Sequence, residues 1–509
     1  MDIGPLDIEL SRLSDFIASR LGLRFPRERW RDLERGIGSA ARDLGFRDIG
    51  SCIQWLLSSP LTQRQTEILA SHLTVGETYF FREKRSLAVL EESIFPEFIR
   101  ARHIAERSLR IWSAGCCTGE EPYSIAILLD KLIPDLQNWN ITILATDINP
   151  RFLQKASEGL YTEWSFRDSP SWIKERYFER KKGDRFEISP EIKKRVTFSY
   201  LNLAEDVYPS LTNNTNAMDV IFCRNVLMYF APERTKKVVD RFYRSLIDGG
   251  WLIVSPSETS QALFAQYATV NLPDVILYQK ESDLLRTTPS AEAFPAIPVE
   301  APRSSFHPPV HFLPEPAAEV VLAQETGIFL PLEDQKQRTA ETRPDSYAEA
   351  AALYDQGRYP EASEKIAGLL KDHPDNAKAM TLLARVYANQ GNLAEALQWC
   401  QRAIAADKLS AEGHYLLATV LQEQGHIADA VLSLKRALYL DPDFALAHFA
   451  LGNMTRQQGN FKASEKHYAN ALSLLNARRS EEVLLASEGM TAGRLVEIIR
   501  STTFKETVA

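Results

Sequence analysis

The chain has 509 residues, a formal net charge of -8 and an ordinary globular composition, 45% hydrophobic and 25% charged. A single core rarely grows beyond roughly 250–300 residues, so three or four domains are expected. The acidic balance argues against a general nucleic-acid binder. No apolar run reaches the ~18 residues that a membrane span needs, and no signal-peptide core opens the chain, so a cytoplasmic protein without membrane insertion is expected. The cysteines (Cys52, Cys116, Cys117, Cys223 and Cys400) are scattered, build no CxxC pair, and read as small reduced residues, with no metal site expected.

Residues 1–105 carry helical periodicity. Asp7–Leu21 sets Leu10, Leu13, Phe16, Ile17 and Leu21 on one face. Pro26 opens a second helix, about Glu28–Leu44, which Gly45 closes; a third covers Ile49–Leu57 and a fourth Gln63–Ser71. Arg20, Arg24, Arg27, Arg29, Arg31 and Arg35 crowd this region. Interleaved Glu28, Asp32 and Glu34 leave two readings open, a docking face for an acidic partner and a salt-bridged surface helix.

Residues 106–281 alternate strands with helices, which predicts a mostly parallel sheet. Strands are expected at Leu109–Ile111, Ile141–Thr146, Val196–Leu201, Met218–Cys223 and Gly250–Val254, with an antiparallel hairpin at Ala268–Val270 and Val275–Gln279. Asp248-Gly-Gly250 reads as a turn between the helix Pro232–Leu246 and the strand that follows. Residues 282–342 are proline-rich and aperiodic, a semi-rigid linker.

In residues 343–478, Gly357, Gly391, Gly425 and Gly459 recur at a spacing of 34 residues. Ala350, Ala384, Ala418 and Gly452 precede them, and Ala362, Ala396, Ala430 and Ser464 follow. Small residues at these offsets let paired helices approach closely, and the period resembles four tetratricopeptide repeats. Residues 479–509 are expected to supply a capping helix, about 480–500, and a tail. The predicted fold class is therefore α/β: an N-terminal helical domain, a Rossmann-like sheet, and an all-α repeat domain after the linker.

Trp112-Ser-Ala-Gly-Cys-Cys-Thr-Gly-Glu-Glu-Pro-Tyr-Ser124 reads as a strand that breaks at a small-residue turn and reopens as a helix. Such a turn lets backbone approach a nucleotide-like ligand, and Asp147 ends the second strand where α/β folds hold a ribose. A dehydrogenase shares both features. Three further segments, Leu73-Thr-Val-Gly-Glu-Thr-Tyr-Phe-Phe-Arg82, Asp147-Ile-Asn149 and Phe222-Cys-Arg-Asn-Val-Leu-Met-Tyr-Phe230, occur at compatible spacings. Over about residues 7–281 the chain resembles the CheR family of chemotaxis-receptor methyltransferases.

That resemblance implies transfer of methyl from S-adenosylmethionine to glutamate side chains of bacterial chemoreceptors, with the receptor's helical bundle as the protein substrate. It implies cofactor contacts at Thr78, Arg82, Glu121, Asp147, Asn202, Leu203, Arg224 and Asn225, and it places Arg82 and Tyr229 beside the reacting methyl. Gly76 stands where many members have asparagine, so its contact with the cofactor is the departure from the pattern. Glu120 reads as structural, and Ser257-Glu258 as either family-like or a helix cap. The segment Arg180–Ile188 looks too short to tether a receptor peptide, which leaves partner recognition to the repeats. A catalytically inert adaptor that scaffolds a signalling array through its repeats is the alternative reading.

Overall fold

The computed structural model describes residues 5–102, 107–272, 275–281 and 346–503. The proline-rich linker lies outside the described residues. Four helices open the chain: α1 (Pro5–Leu21), α2 (Trp30–Asp43), α3 (Ile49–Ser58) and α4 (Gln63–Leu73). Asp48 caps α3 by accepting the Ser51 amide at 2.8 Å, and Thr62 with Gln65 forms a capping box on α4. Leu13, Ile17, Leu33, Ile37, Cys52, Leu56 and Leu69 fill the space between them. The short helices α5 (Lys84–Val89) and α6 (Phe95–Arg102) follow. Their Leu87 and Phe95 join the sheet's core rather than the bundle's, so the packing changes partner well before residue 105.

The main sheet contains β1 (Ser108–Ala114) and β2 (Asn140–Asp147). Three short strands, β3 (Leu160–Thr162), β4 (Phe178–Lys181) and β5 (Arg185–Ile188), form a separate antiparallel sheet ordered β3-β5-β4. The main sheet resumes with β6 (Val196–Tyr200), β7 (Met218–Cys223), β8 (Leu246–Val254), β9 (Ala268–Leu272) and β10 (Val275–Gln279). Its order is β6-β2-β1-β7-β8-β10-β9, parallel from β6 through β8 and antiparallel at β10 and β9. The chain runs outward from β1 through β2 to β6, then returns to the other side of β1 as β7. That reversal opens a crevice at the carboxyl ends of β1 and β7.

Helices α7 (Glu120–Leu132), α8 (Pro150–Glu158), α9 (Ser171–Tyr177), α10 (Pro190–Lys193) and α11 (Pro232–Ser245) lie in the connections. Asp248-Gly-Gly250 is not a turn before β8 but an irregularity inside it. Met218 pairs with Leu246 and Val220 with Trp251, so the extra residues loop out of register, with Gly249 at φ +78.

The repeats form α12 (Ser346–Asp355), α13 (Tyr359–Asp372), α14 (Ala377–Asn389), α15 (Leu393–Ala406), α16 (Ala411–Glu423), α17 (Ile427–Leu440), α18 (Ala445–Gln457) and α19 (Phe461–Asn476). The small residues sit where helices meet: a Cβ on Gly452 would lie 2.5 Å from the Tyr468 ring. The closing helix α20 (Ala492–Thr503) starts later than expected. Residues 480–491 instead make a loop closed by a Val483–Thr491 bridge, with Ala486, Glu488 and Gly489 all at positive φ. Among the described residues no helix is long and apolar enough to cross a membrane.

Candidate active site

β1 ends in a turn that only glycine fits. Gly115 has φ +87, and a Cβ there would lie 2.4 Å from Val226 Cγ2. The amides of Gly115 and Cys116 both donate to the Thr146 carbonyl, at 2.8 and 2.9 Å, which ties the turn to the end of β2. Gly119, at φ +93, then starts α7 against Ala156. Glu120 is fully buried and accepts from Thr118 and Ser165, a structural role as expected.

Beyond this turn lies a cavity of about 1170 Å³, its open mouth included. Thr78, Arg82, Glu121, Asp147, Asn202, Leu203, Arg224, Asn225 and Tyr229 all line it. Gly76 does not: a Cβ there would lie 2.6 Å from Phe152 Cζ, and the Phe152 ring faces the cavity instead. At position 76 the cavity wall is therefore the Phe152 ring rather than a side chain of residue 76 itself.

The charges are arranged in layers. Asp147 Oδ2 accepts the Cys117 amide at 2.8 Å and Oδ1 the Asn149 amide at 2.9 Å. Burial raises this carboxyl to about 6 despite those donors. Burial also raises Glu121, opposed by Arg224 and by the Ser113 hydroxyl, which donates at 2.7 Å. Arg224 in turn lies 2.9 Å from Glu83 and donates to the Arg82 carbonyl at 2.6 Å. The Arg82 side chain makes one hydrogen bond, to the Glu77 carbonyl at 2.7 Å.

Residues 76–275 match the CheR methyltransferase SAM-binding domain, and residues 347–411 and 415–479 match tetratricopeptide repeats. The chemotaxis protein methyltransferase of Borreliella burgdorferi is 32% identical over 253 residues, covering 49% of this chain and 88% of that protein. Chemotaxis protein methyltransferase 1 of Pseudomonas aeruginosa is 31% identical over 287 residues, 55% of this chain and 99% of that protein. A counterpart in Pseudomonas putida is 30% identical over 284 residues, again 55% of this chain and 99% of that protein. The chain belongs to the CheR family of chemotaxis protein methyltransferases.

The cavity of this CheR-family protein fits S-adenosylmethionine. Asp147 is a buried acid and Glu121 a half-buried one, suited to sugar hydroxyls and to a cationic group respectively, and Leu203 and Phe152 offer apolar walls. Several lining residues carry no expectation of a cavity role in the sequence, where Arg24 and Arg29 read only as part of a candidate docking face. Leu23, Arg24, Phe25 and Arg29, from the loop between α1 and α2, close one side of the cavity. Asn202 reaches back to that domain, donating to the Arg20 carbonyl at 3.0 Å. Glu258 accepts the amides of Asn225 and Met228 at 2.7 and 3.2 Å, so this capping residue also fixes the loop that carries Tyr229. Cys116 and Cys223 are buried, and burial pushes their thiols well up, which suits small packing residues rather than nucleophiles.

Proposed function

We propose that this protein methylates glutamate side chains on the cytoplasmic helical bundle of chemoreceptors, giving methyl esters. One observation carries the reading: besides Arg224, three guanidinium groups, those of Arg24, Arg29 and Arg82, line the same cavity as Glu121 and Asp147. The carboxylates suit a cationic donor, and the guanidinium groups an anionic acceptor. S-adenosylmethionine supplies an electrophilic methyl on a sulfonium.

A glutamate carboxylate is ionised at neutral pH, so the acceptor needs no general base. The protein's part is to position and to exclude water. Glu121 and Asp147 hold the methionine and ribose ends, with Asn202 and Leu203 beside the adenine. Arg82 orients the incoming carboxylate through its fork of donors. Because Arg82 already gives one donor to the Glu77 carbonyl, only part of that fork is left for substrate, and the nucleophile keeps its reactivity. Tyr229, half-buried with Arg29 over its ring at 5.7 Å, walls the cavity between cofactor and receptor.

Arg20, Arg24, Arg31 and Arg35 are exposed along the leading helices, and we assign them to docking an acidic receptor surface. The test is incubation with radiolabelled S-adenosylmethionine and receptors of the same organism, followed by mild base. Ester label is released as methanol; label that survives base overturns the assignment to a carboxylate.

A further inference from the structure

The β6–β7 connection, residues 201–217, has different neighbours at its two ends. Its first residues, Leu201, Asn202 and Leu203, line the cofactor cavity. Ten residues on, the same connection enters the repeat array. Leu211 packs with Ala384 and Ala388 of α14 and with Leu416 and Val420 of α16. Its amide donates to Glu488 Oε2 at 2.7 Å, and Tyr354 of α12 holds the other oxygen of that carboxylate. Asn216 donates to the Ala388 carbonyl at 3.5 Å and to Glu423 at 3.3 Å.

Apart from Glu488, which lies in the loop before α20, these partners lie on the first helices of three successive hairpins. Stacked helix pairs make such a face into a concave binding surface. The segment seated there, Ser210-Leu-Thr-Asn-Asn-Thr-Asn216, has one apolar anchor among short hydrogen-bonding residues. The segment is held from both sides, since Arg110 of β1 donates to the Asn216 carbonyl at 3.1 Å while the repeats take Leu211. A second contact reaches the cavity wall from behind. Asn202 Nδ2 donates to Glu205 at 3.2 Å, and Glu205 faces Arg494 of α20 at 3.9 Å.

We propose that the inner face of the repeats is a peptide groove whose resident ligand is the chain's own Ser210–Asn216 segment. A protein partner presenting an extended segment of the same chemistry, one leucine-sized side chain among Ser, Thr and Asn, engages the repeats by displacing it. Displacement releases the connection that carries Asn202 and Leu203, so partner binding weakens cofactor binding. Only this last step rests on the assignment of the cavity to the methyl donor.

A ligand tethered in the same chain competes at an effective concentration of about 1 mM, so a free peptide gains entry only when the resident segment is expelled. The experiment titrates a fluorescent peptide of residues 207–217 against the full chain. Wild type is expected to show no binding below about 1 mM, and Leu211→Asp to bind at least about tenfold more tightly. Adding Glu488→Ala to Leu211→Asp is expected to abolish that gain.

Calorimetry on the same proteins is expected to show S-adenosylhomocysteine affinity about fivefold lower in Leu211→Asp. Leu211→Ala, a milder change, serves if the aspartate variant does not melt cooperatively. A folded variant that binds no peptide overturns the groove. Peptide binding with unchanged S-adenosylhomocysteine affinity overturns the coupling. Neither readout involves methyl transfer, so an error in the receptor substrate leaves both outcomes interpretable.

Discussion

The Arg224 guanidinium lies 3.2 Å from the Glu121 carboxylate, so the acid at the head of α7 is not a bare anion. Glu83 shares the same guanidinium at 2.9 Å. Two carboxylates against one guanidinium leave one formal negative charge, which is what a singly cationic end of the donor needs. Such a cluster is costly to break from the arginine side, because two acids are then left facing each other without a partner. Arg224→Ala is expected to cost roughly 3–5 kcal/mol of stability, read by denaturant unfolding. Glu121→Gln keeps the shape and removes the excess charge. It is expected to lower S-adenosylmethionine affinity about tenfold, roughly 1.4 kcal/mol by calorimetry, with the melting temperature nearly unchanged.

Asp147 predicts a pH dependence with a definite sign. Its carboxyl titrates at about 6, above the ordinary 3.8, because burial disfavours the charge. In its proposed role as acceptor of ribose hydroxyls it acts ionised, so cofactor affinity is expected to be full above this value and to fall as the pH drops through about 6. The linkage to folding runs the other way. A raised acid contributes stability that is present below 3.8 and lost as the pH rises through about 6. Loss of affinity on acidification therefore does not arise from unfolding at this group. Asp147→Asn is expected to bind more weakly at pH 8 and to lose the step near 6; a step that persists in the variant removes Asp147 as its cause.

The sequence announces the chemistry more clearly than its enclosure. The Trp112–Ser124 turn and the repeat period are local patterns, a glycine that must turn and small residues that must face a helix, and both survive into the structure. Asp248-Gly-Gly250 carries the same local signal for a turn as for an outward loop within a strand, and pairing with Met218 and Val220 decides between them. Arg24 and Arg29 reach the cavity from the loop between α1 and α2, and Phe152 from the first turn of α8, where no spacing marks a cavity role. The seating of Leu211 against the repeats is equally silent, since one leucine among asparagines has no period.

Arg82 separates positioning from capture. Its side chain touches the Glu77 carbonyl and the Tyr79 ring, and neither contact holds the cavity together. Arg82→Ala is expected to leave S-adenosylhomocysteine affinity within about twofold and to slow receptor labelling about 100-fold, the scale of a misplaced reactant. Arg82→Lys keeps the charge without the planar fork, so only partial recovery is expected. Equal losses of cofactor binding and of labelling would assign the residue to capture instead.

Gly76 and Phe152 form a complementary pair. The backbone at Gly76 is not left-handed, so alanine is tolerated conformationally and the only obstacle is steric, a Cβ 2.6 Å from the ring's Cζ. Displacing that ring moves it along the cavity wall. Gly76→Ala is expected to cost about 1 kcal/mol in stability, at the low end of overpacking, and to weaken cofactor binding about tenfold. Phe152→Leu shortens the side chain and clears the space. If the defect is the collision, the double variant binds cofactor more tightly than Gly76→Ala alone, with a coupling of about 1 kcal/mol in the double-mutant cycle. Strict additivity would mean that position 76 acts through the backbone of the Thr74–Thr78 segment and that the ring is a bystander.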